Sequence, residues 1–313
     1  MPERGEKKTR NRAFGNTAGK LYIVATPIGN SEDITDRARK ILSEADLVAA
    51  EDTRTTMRLF SLLGIENKMV SCHKFNEKKQ TDFLVDELLN GKNIALVSDA
   101  GTPCISDPGH IVVKNAVEKG IDVVGVSGPS SVVTALSVSG FEFVDFAFLG
   151  FWPRNKKETE DLLGKIRGSK ISVFVFFESP KRIKKTLQAI VLELPDSEIC
   201  LCNDLTKMYE RIYRGSPQAV LEKLENNPSA EKGEYAFVLH VPQQEKKTIA
   251  LDEIPSHEAM LIDHIVKNGG SVKEAIQSLQ EKYKSQISKK EFYAAALRLK
   301  EIIPGLFFTA RDE

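Results

Sequence analysis

Four short segments concentrate the residue types that chemistry needs, and each follows an apolar run. Thr26-Pro27-Ile28-Gly29-Asn30 comes directly after the run ending at Ala25. Pro27 stiffens the exit, Gly29 lets a ligand approach the backbone, and the Asn30 amide both donates and accepts hydrogen bonds. Glu51-Asp52-Thr53-Arg54 follows Leu47 to Ala50. Its residues could simply start a helix, with Asp52 or Thr53 as the cap; equally, Glu51 could take a proton and Arg54 grip a phosphate or carboxylate. The longest segment runs Ser98-Asp99-Ala100-Gly101-Thr102-Pro103-Cys104-Ile105-Ser106-Asp107-Pro108-Gly109. A connection needs only a few residues, and a loop so long and stiff costs entropy to order, so a bound ligand is the economical explanation. Asp99 and Asp107 suit ribose hydroxyls or an ammonium, and the small residues leave room for a flat adenine. Gly128-Pro129-Ser130-Ser131 follows Val123 to Val126, where either serine could also cap the next helix.

The elements that must position these loops follow from hydrophobic periodicity. Leu21 to Ala25, Leu47 to Ala50, Ile94 to Val97 and Val123 to Val126 read as buried strands. Between them Ile34 to Ala45, Thr55 to Leu63, Thr81 to Leu89 and Ile111 to Lys119 have helical period, which predicts crossover units and a largely parallel sheet. In such sheets ligands sit outside the carboxyl ends of the strands, where these loops would be. After a helix from Ser130 to Ser139 the texture changes. Strands at Phe146 to Leu149, Val173 to Phe177, Ile199 to Cys202, Glu210 to Tyr213 and Tyr235 to Val241 lie closer together, with helices near Lys157 to Ile166, Ile183 to Leu192 and Gln218 to Leu224, so a more mixed sheet is expected. A boundary near Gly128 divides the chain into α/β domains at 20–128 and 129–243. A polar linker from Gln243 leads to a helices-only module at 252–313, with helices at Ser256 to Lys267, Ser271 to Lys282 and Ser288 to Ile302.

Bulk properties narrow the class. At 313 residues, with 41% apolar and 28% charged residues, the composition is that of an ordinary globular protein. Lysine plus arginine (44) equals aspartate plus glutamate (44), so no global field holds polyanions, and any RNA contact must be local. No Gly-x-Gly-x-x-Gly or Gly-x4-Gly-Lys-Ser/Thr occurs, which argues against dinucleotides and P-loop nucleotides. The four cysteines, Cys72, Cys104, Cys200 and Cys202, form no C-x-x-C pair; the expectation is reduced core thiols, a reducing compartment and no metal. Cys200 and Cys202 alternate along a strand and point to one side. No run approaches the ~20 apolar residues of a membrane helix, and Met1 to Gly19 reads as a disordered basic tail without the apolar stretch of a secretory signal. The expectation is a soluble, cytoplasmic protein.

Taken in order, these segments resemble the tetrapyrrole-methylase superfamily, and more closely its branch acting on ribosomal RNA of the small subunit, the (cytidine-2′-O)-methyltransferases. Thr26 to Asn30 with Asp33, Ala50 to Arg54, Ser98 to Gly109 and Gly128 to Ser131 are successive marks. Phe176-Phe177-Glu178-Ser179-Pro180-Lys181-Arg182-Ile183, Leu205-Thr206-Lys207-Met208-Tyr209-Glu210 and Lys232-Gly233-Glu234-Tyr235 continue the series. The resemblance implies two α/β domains with S-adenosylmethionine in the cleft between them, usually in a homodimer. By it, Pro27, Gly29, Asn30, Ser98, Asp99, Ala100, Gly101, Ile105, Ser106, Asp107, Gly128, Pro129, Ser130, Ser131, Phe176, Phe177 and Glu178 bind the cofactor. The helical module would face RNA, free or within an assembled small ribosomal subunit. One departure stands out: Asn203 and Asp204 occupy places where the family often has arginine and glutamate.

The implied chemistry is an in-line displacement at a sulfonium methyl, for which a ribose 2′-hydroxyl needs a general base. Glu51 is the expected base, in a catalytic group with Asp52, Arg54 and Lys207; Arg54 and Lys207, with Lys181 and Arg182 behind them, would orient RNA phosphate. A small-metabolite methyltransferase would share the cofactor loops, and a non-enzymatic RNA-binding factor would bind RNA without affinity for S-adenosylmethionine.

Overall fold

The computed structural model describes residues 18–242, 256–283 and 287–303. The tail expected at Met1 to Gly19 falls, up to residue 17, outside the described residues, as do the linker at 243–255 and the turn at Ser285-Gln286. The chain forms two compact units, Met1–Gln243 and Gln244–Glu313.

The first unit holds two five-stranded sheets. Strands β1 (Leu21–Val24), β2 (Leu47–Ala50), β3 (Met69–Ser71), β4 (Ile94–Val97) and β5 (Val123–Val126) form a sheet of order β3-β2-β4-β1-β5, parallel throughout. Helices α1 (Asp36–Glu44) and α2 (Thr53–Leu63) cover one face through Ala38, Leu42 and Phe60. Helices α3 (Glu77–Leu89) and α4 (His110–Glu118) cover the other through Leu84, Leu88, Val112 and Ala116. With both faces covered, β2 and β4 are buried along their whole length, which is why they read as continuous apolar runs rather than alternating ones. Adjacent strands β1 and β4 send the chain away to opposite faces, and the crevice at their carboxyl ends lies between the Thr26 and Ser98 segments. Thr26 and Gly101 close it with a pair of backbone hydrogen bonds of 2.9 Å each.

The second sheet is mixed, as its crowded strands predict. Strands β6 (Ala147–Phe151), β7 (Val173–Glu178), β8 (Glu198–Asn203), β9 (Arg211–Gly215) and β10 (Tyr235–His240) take the order β6-β7-β10-β8-β9, parallel only between β6 and β7. Helix α5 (Ser131–Ser137) packs Val132, Ala135 and Leu136 under one face, against Val175, Cys200, Cys202 and Ala236. Helices α6 (Lys156–Gly168), α7 (Ile183–Glu193) and α8 (Pro217–Glu225) cover the other face around Trp152, Phe176 and Phe237. Ile28, from the parallel half, packs into the α5 face, so the two sheets meet directly.

The second unit contains α9 (His257–Asn268), α10 (Val272–Tyr283) and α11 (Lys289–Ile302), which bury Leu261, Ile276, Phe292 and Ala295 among themselves. Ser288 and Glu291 cap α11 reciprocally. Among the described residues, no helix is long and apolar enough to cross a membrane, and no group of three or more His, Cys, Asp or Glu side chains could hold a metal ion.

Several elements shift by a few residues from the sequence expectation, and three of the differences have a clear physical reason. Strand β3 escaped notice because three half-buried residues at a sheet edge carry no period. Helix α3 begins at Glu77 rather than Thr81, since Glu77 turns inward and its carboxylate accepts hydrogen bonds of 2.9 Å from the Gly109 and Ile111 amides. Helix α2 begins at Thr53, two residues before the expected start, with Asp52 as its N-cap.

Candidate functional site

A cavity of about 400 Å³ lies where the two sheets meet. The parallel half contributes Ile28, the stretch Ala100 to Thr102 and the stretch Ile105 to Asp107. The mixed half contributes Ser130 to Val132 at the start of α5, Phe151, Phe177 to Pro180, Cys202, Leu205 and Gly233 to Ala236. Apolar walls of Ile28, Val132, Phe177, Leu205 and Ala236 stand beside hydroxyls of Thr102, Ser106, Ser130 and Ser131 and the carboxylate of Asp107. That donor set fits S-adenosylmethionine: a flat apolar face for adenine, acceptors for ribose hydroxyls and the ammonium, and negative charge for a sulfonium. Gly101 makes the cradle. Its φ is +79°, and a Cβ there would come within 3.3 Å of Ile28 and 3.9 Å of the Pro129 carbonyl.

Of the residues expected to bind cofactor, Ala100, Gly101, Ile105, Ser106, Asp107, Ser130, Ser131, Phe177 and Glu178 line this cavity. Pro27, Gly29, Asn30, Ser98, Asp99, Gly128, Pro129 and Phe176 do not, and most have a different task. Phe176 is a correction. Neighbours along a strand face opposite sides, so as Phe177 turns to the cavity Phe176 turns to the core, fully buried with ring centroids 5.0 Å from Trp152 and 5.1 Å from Phe237. Gly29 and Asn30 instead seat the turn after β8. A Cβ on Gly29 would meet the Leu205 carbonyl at 2.9 Å, and the Asn30 amide donates to Thr206 Oγ1 at 3.1 Å. Asp204 and Thr206 in that turn hold left-handed backbone, φ 53° and 65°, a conformation costly for a β-branched residue and persisting only where surroundings enforce it. Gly128 packs on Ala25 and the Pro129 carbonyl accepts from Thr102 Oγ1 at 3.2 Å, so both hold walls in place.

Lys207 and Arg54 are likewise committed. Lys207 Nζ lies 3.0 Å from Asp204 and 2.8 Å from Glu234. Burial alone would lower its pKa, but these two partners outweigh burial and raise it. The departure at Asp204 therefore has a structural use, since its carboxylate holds Lys207 and accepts from the Glu234 amide at 3.2 Å. Arg54, on the surface, grips Asp52 with two bonds, of 3.1 and 2.7 Å, and holds that carboxyl down at about 2. Arg182, the weaker phosphate candidate, reaches the buried Glu178 at 3.1 Å and the Pro153 carbonyl at 2.5 Å.

Glu51 lies outside the cavity wall but beside it. Its carboxylate accepts from the Asp99 amide at 3.3 Å, and the Asp99 carboxylate accepts from the Asp52 amide at 3.1 Å, a reciprocal tie between the loops after β2 and β4. Burial raises the Glu51 pKa above its ordinary value; the Asp99 amide opposes this, and the charges of Asp107 and Asp99 add to it. Asp107, in the cavity wall, is raised by burial and by Asp99, against a hydrogen bond from Ser98. The acids thus form a continuous electrostatic line from the cavity to Glu51, and a carboxylate raised in this way is a better proton acceptor near neutrality.

Sequence reasoning missed the wall formed by Cys202, Leu205 and Gly233 to Ala236. A signal was present in the motif Lys232-Gly233-Glu234-Tyr235, but nothing in it says that the start of a strand, rather than its end, would face the ligand. Cys200 and Cys202 do share one face, with sulfurs 3.9 Å apart.

Comparison with known proteins places this geometry. Residues 20–220 match the family model for tetrapyrrole (corrin/porphyrin) methylases. The ribosomal RNA small subunit methyltransferase I of Halalkalibacterium halodurans is 38% identical over 83% of this chain and 89% of its own length. The protein of the same name from Thermotoga maritima is 42% identical over 71% of this chain and 98% of its own length, so a good part of this chain has no counterpart there. The solved structure of a diphthine synthase shares the fold at TM-score 0.56 and 16% identity, over 71% of this chain and 90% of that one.

Proposed function

The chain belongs to the tetrapyrrole (corrin/porphyrin) methylase family, and from that premise we propose that it transfers a methyl group from S-adenosylmethionine to ribosomal RNA of the small subunit, at the 2′-oxygen of a cytidine ribose. The observation that carries the reading is the cavity between the sheets, lined by apolar side chains, hydroxyls and the Asp107 carboxylate, with the raised carboxylate of Glu51 beside it. The names of the relatives, most of whose length aligns, give the RNA substrate class.

S-adenosylmethionine, when bound, supplies a methyl group made electrophilic by its sulfonium charge. The chain supplies the rest. Gly101, Ile105 and Asp107 on one side and Ser130, Ser131 and Phe177 on the other hold the donor and exclude water. Its methyl carbon would be offered there to the acceptor oxygen, and the Glu51 carboxylate would take the hydroxyl proton. Asp52 fixes the start of α2 and orients Arg54; Lys207 holds the Asp204 turn that supplies Leu205 to the cavity. In this reading the helical unit docks on RNA, the chain works in the cytoplasm, and it does so as a homodimer, the last as the family resemblance implies.

The direct test is incubation with radiolabelled S-adenosylmethionine and either unmethylated small subunits or free RNA, followed by nuclease mapping of the label. Label on a cytidine ribose is the expected result. Label on a macrocyclic metabolite and none on RNA, or RNA binding with no transfer, would overturn it.

A further inference from the structure

Next to the cavity is a second hollow, of about 390 Å³, lined by Glu51, Asp52, Thr53, Arg54, Ser71, His73 and Phe75. Its most unusual member is Phe75, 94% exposed in the connection between β3 and α3. The backbone around it is tightly held. His73 Nδ1 accepts from the amides of Phe75 and Asn76 at 3.2 Å each, His73 N donates to the Asn76 side chain at 2.7 Å, and Asn76 Nδ2 donates to the Ser71 carbonyl at 3.1 Å. A closed, self-bonded turn thus presents a bare ring to solvent, with the His73 ring edge-on at 6.1 Å.

The charges around this ring select what could cover it. Arg54, its side chain 85% exposed, pairs with Asp52 through two bonds and the two charges offset each other, which leaves Glu51 as the unbalanced acid of the hollow. Among the described residues the lining's one arginine is already paired, whereas sugar hydroxyls and an exocyclic amino group find the Glu51 carboxylate. An aromatic face beside such acceptors fits a nucleoside. The hollow also adjoins the cavity chemically, because Glu51 in the one is tied through the Asp99 amide to the loop that carries Asp107 in the other.

We infer that this hollow is the acceptor subsite: one nucleotide, unstacked from the RNA, lays an amino-bearing base on the Phe75 ring and turns its ribose toward Glu51, with its phosphates outside. The inference rests on the methyltransferase reading of the cavity and deepens it. It also requires a single-stranded or flipped-out nucleotide, since a base within a duplex has no free face.

Phe75 touches little of the fold, so Phe75→Ala keeps the protein folded, which its thermal midpoint checks. With unmethylated small subunits as substrate, the expected result is a KM raised about tenfold, as for loss of one base–aromatic stack, with kcat and S-adenosylmethionine affinity within about twofold of wild type. Phe75→Trp restores a flat ring and recovers most of that loss. Because the native Trp152 is buried, the new indole also reports stacking directly: a single-stranded cytidine-containing oligoribonucleotide should quench it, and the same sequence as a duplex should not. An unchanged KM in Phe75→Ala overturns the subsite while leaving the methyltransferase reading intact. If the wild type moves no label to RNA, quenching still upholds a nucleoside subsite, and absence of quenching removes it.

Discussion

The two sheets build the cavity by different rules. In the parallel sheet every strand delivers its carboxyl end to the same edge, so the site comes from loops that follow strands, and those loops carry compact, recognisable motifs. In the mixed sheet β7 and β8 run antiparallel to β10, so the ends of β7 and β8 and the beginning of β10 arrive at one edge together. Cavity-lining residues there include Cys202 at the end of one strand and Tyr235 and Ala236 at the start of another. The parallel half therefore concentrates its contribution in loops that chemistry constrains, and the mixed half spreads it over strand residues that packing constrains as well.

The sharpest way to break this contrast is Glu51→Gln, which deletes a proton acceptor from the parallel half. The expected loss of methylation rate is about 10²- to 10⁴-fold, with S-adenosylmethionine affinity by calorimetry within twofold; an unchanged rate removes Glu51 as the base. In the wild type, the acid limb of the rate profile should lie above the ordinary glutamate value of 4.5, since burial raises this carboxyl.

A smaller effect is expected at the cradle. Gly101→Val puts a branched side chain at φ +79° and against Ile28, so it should lower unfolding stability by roughly 1–2 kcal/mol, the cost of left-handed backbone in a non-glycine residue, and by crowding the Ile28 wall should weaken cofactor binding. Full affinity by calorimetry in this variant would mean that nothing binds against Gly101.

On the mixed half, Phe176 and Phe177 separate packing from contact. Phe176→Leu should lower unfolding stability in urea by about 1 kcal/mol and leave cofactor affinity alone, whereas Phe177→Leu should weaken binding. Equal binding losses in both would contradict the alternation of the strand.

The least expected change is one of sign. Asp107 has a folded-state pKa above its unfolded one, so it favours folding below the ordinary value of 3.8, and that contribution is lost as pH rises through the raised value. At neutral pH its charge is a burden on the fold, and Asp107→Asn should raise the thermal midpoint there while weakening cofactor binding. The stabilisation should vanish in acid; a midpoint unmoved at neutral pH would show Asp107 to be well solvated.

The same contrast explains what could be read from the residues alone. Strands β1, β2, β4 and β5 and their loops were legible because burial on both faces leaves continuous apolar runs, and turns and caps leave Gly, Pro, Asp and Ser at their ends. Strand β3 was not, since an edge strand of three residues has too little period. Ala100, Gly101, Asp107 and Ser130, which line the cavity, were legible as loop chemistry, yet the segment's other acid, Asp99, and the glycines at 29 and 128 serve to brace walls. The commitments of Lys207 to Asp204 and Glu234 and of Arg54 to Asp52 depend on where side chains end up, which no spacing reveals. Phe75 was invisible for the opposite reason: an aromatic residue in a sequence suggests core, and only coordinates show it standing in solvent.

Strand order has a bearing on how the molecule is made. The strand Leu21–Val24 takes both of its neighbours from residues 94–97 and 123–126. At roughly 5–20 residues per second of synthesis, the first strand to leave the ribosome waits on the order of 5–20 s before its second partner has even been polymerised. Until residues 94–97 are made neither edge of Leu21–Val24 has a mate within the nascent chain, and until residues 123–126 follow one edge stays open, so this is the stage at which a chaperone or a slow patch of codons would matter most.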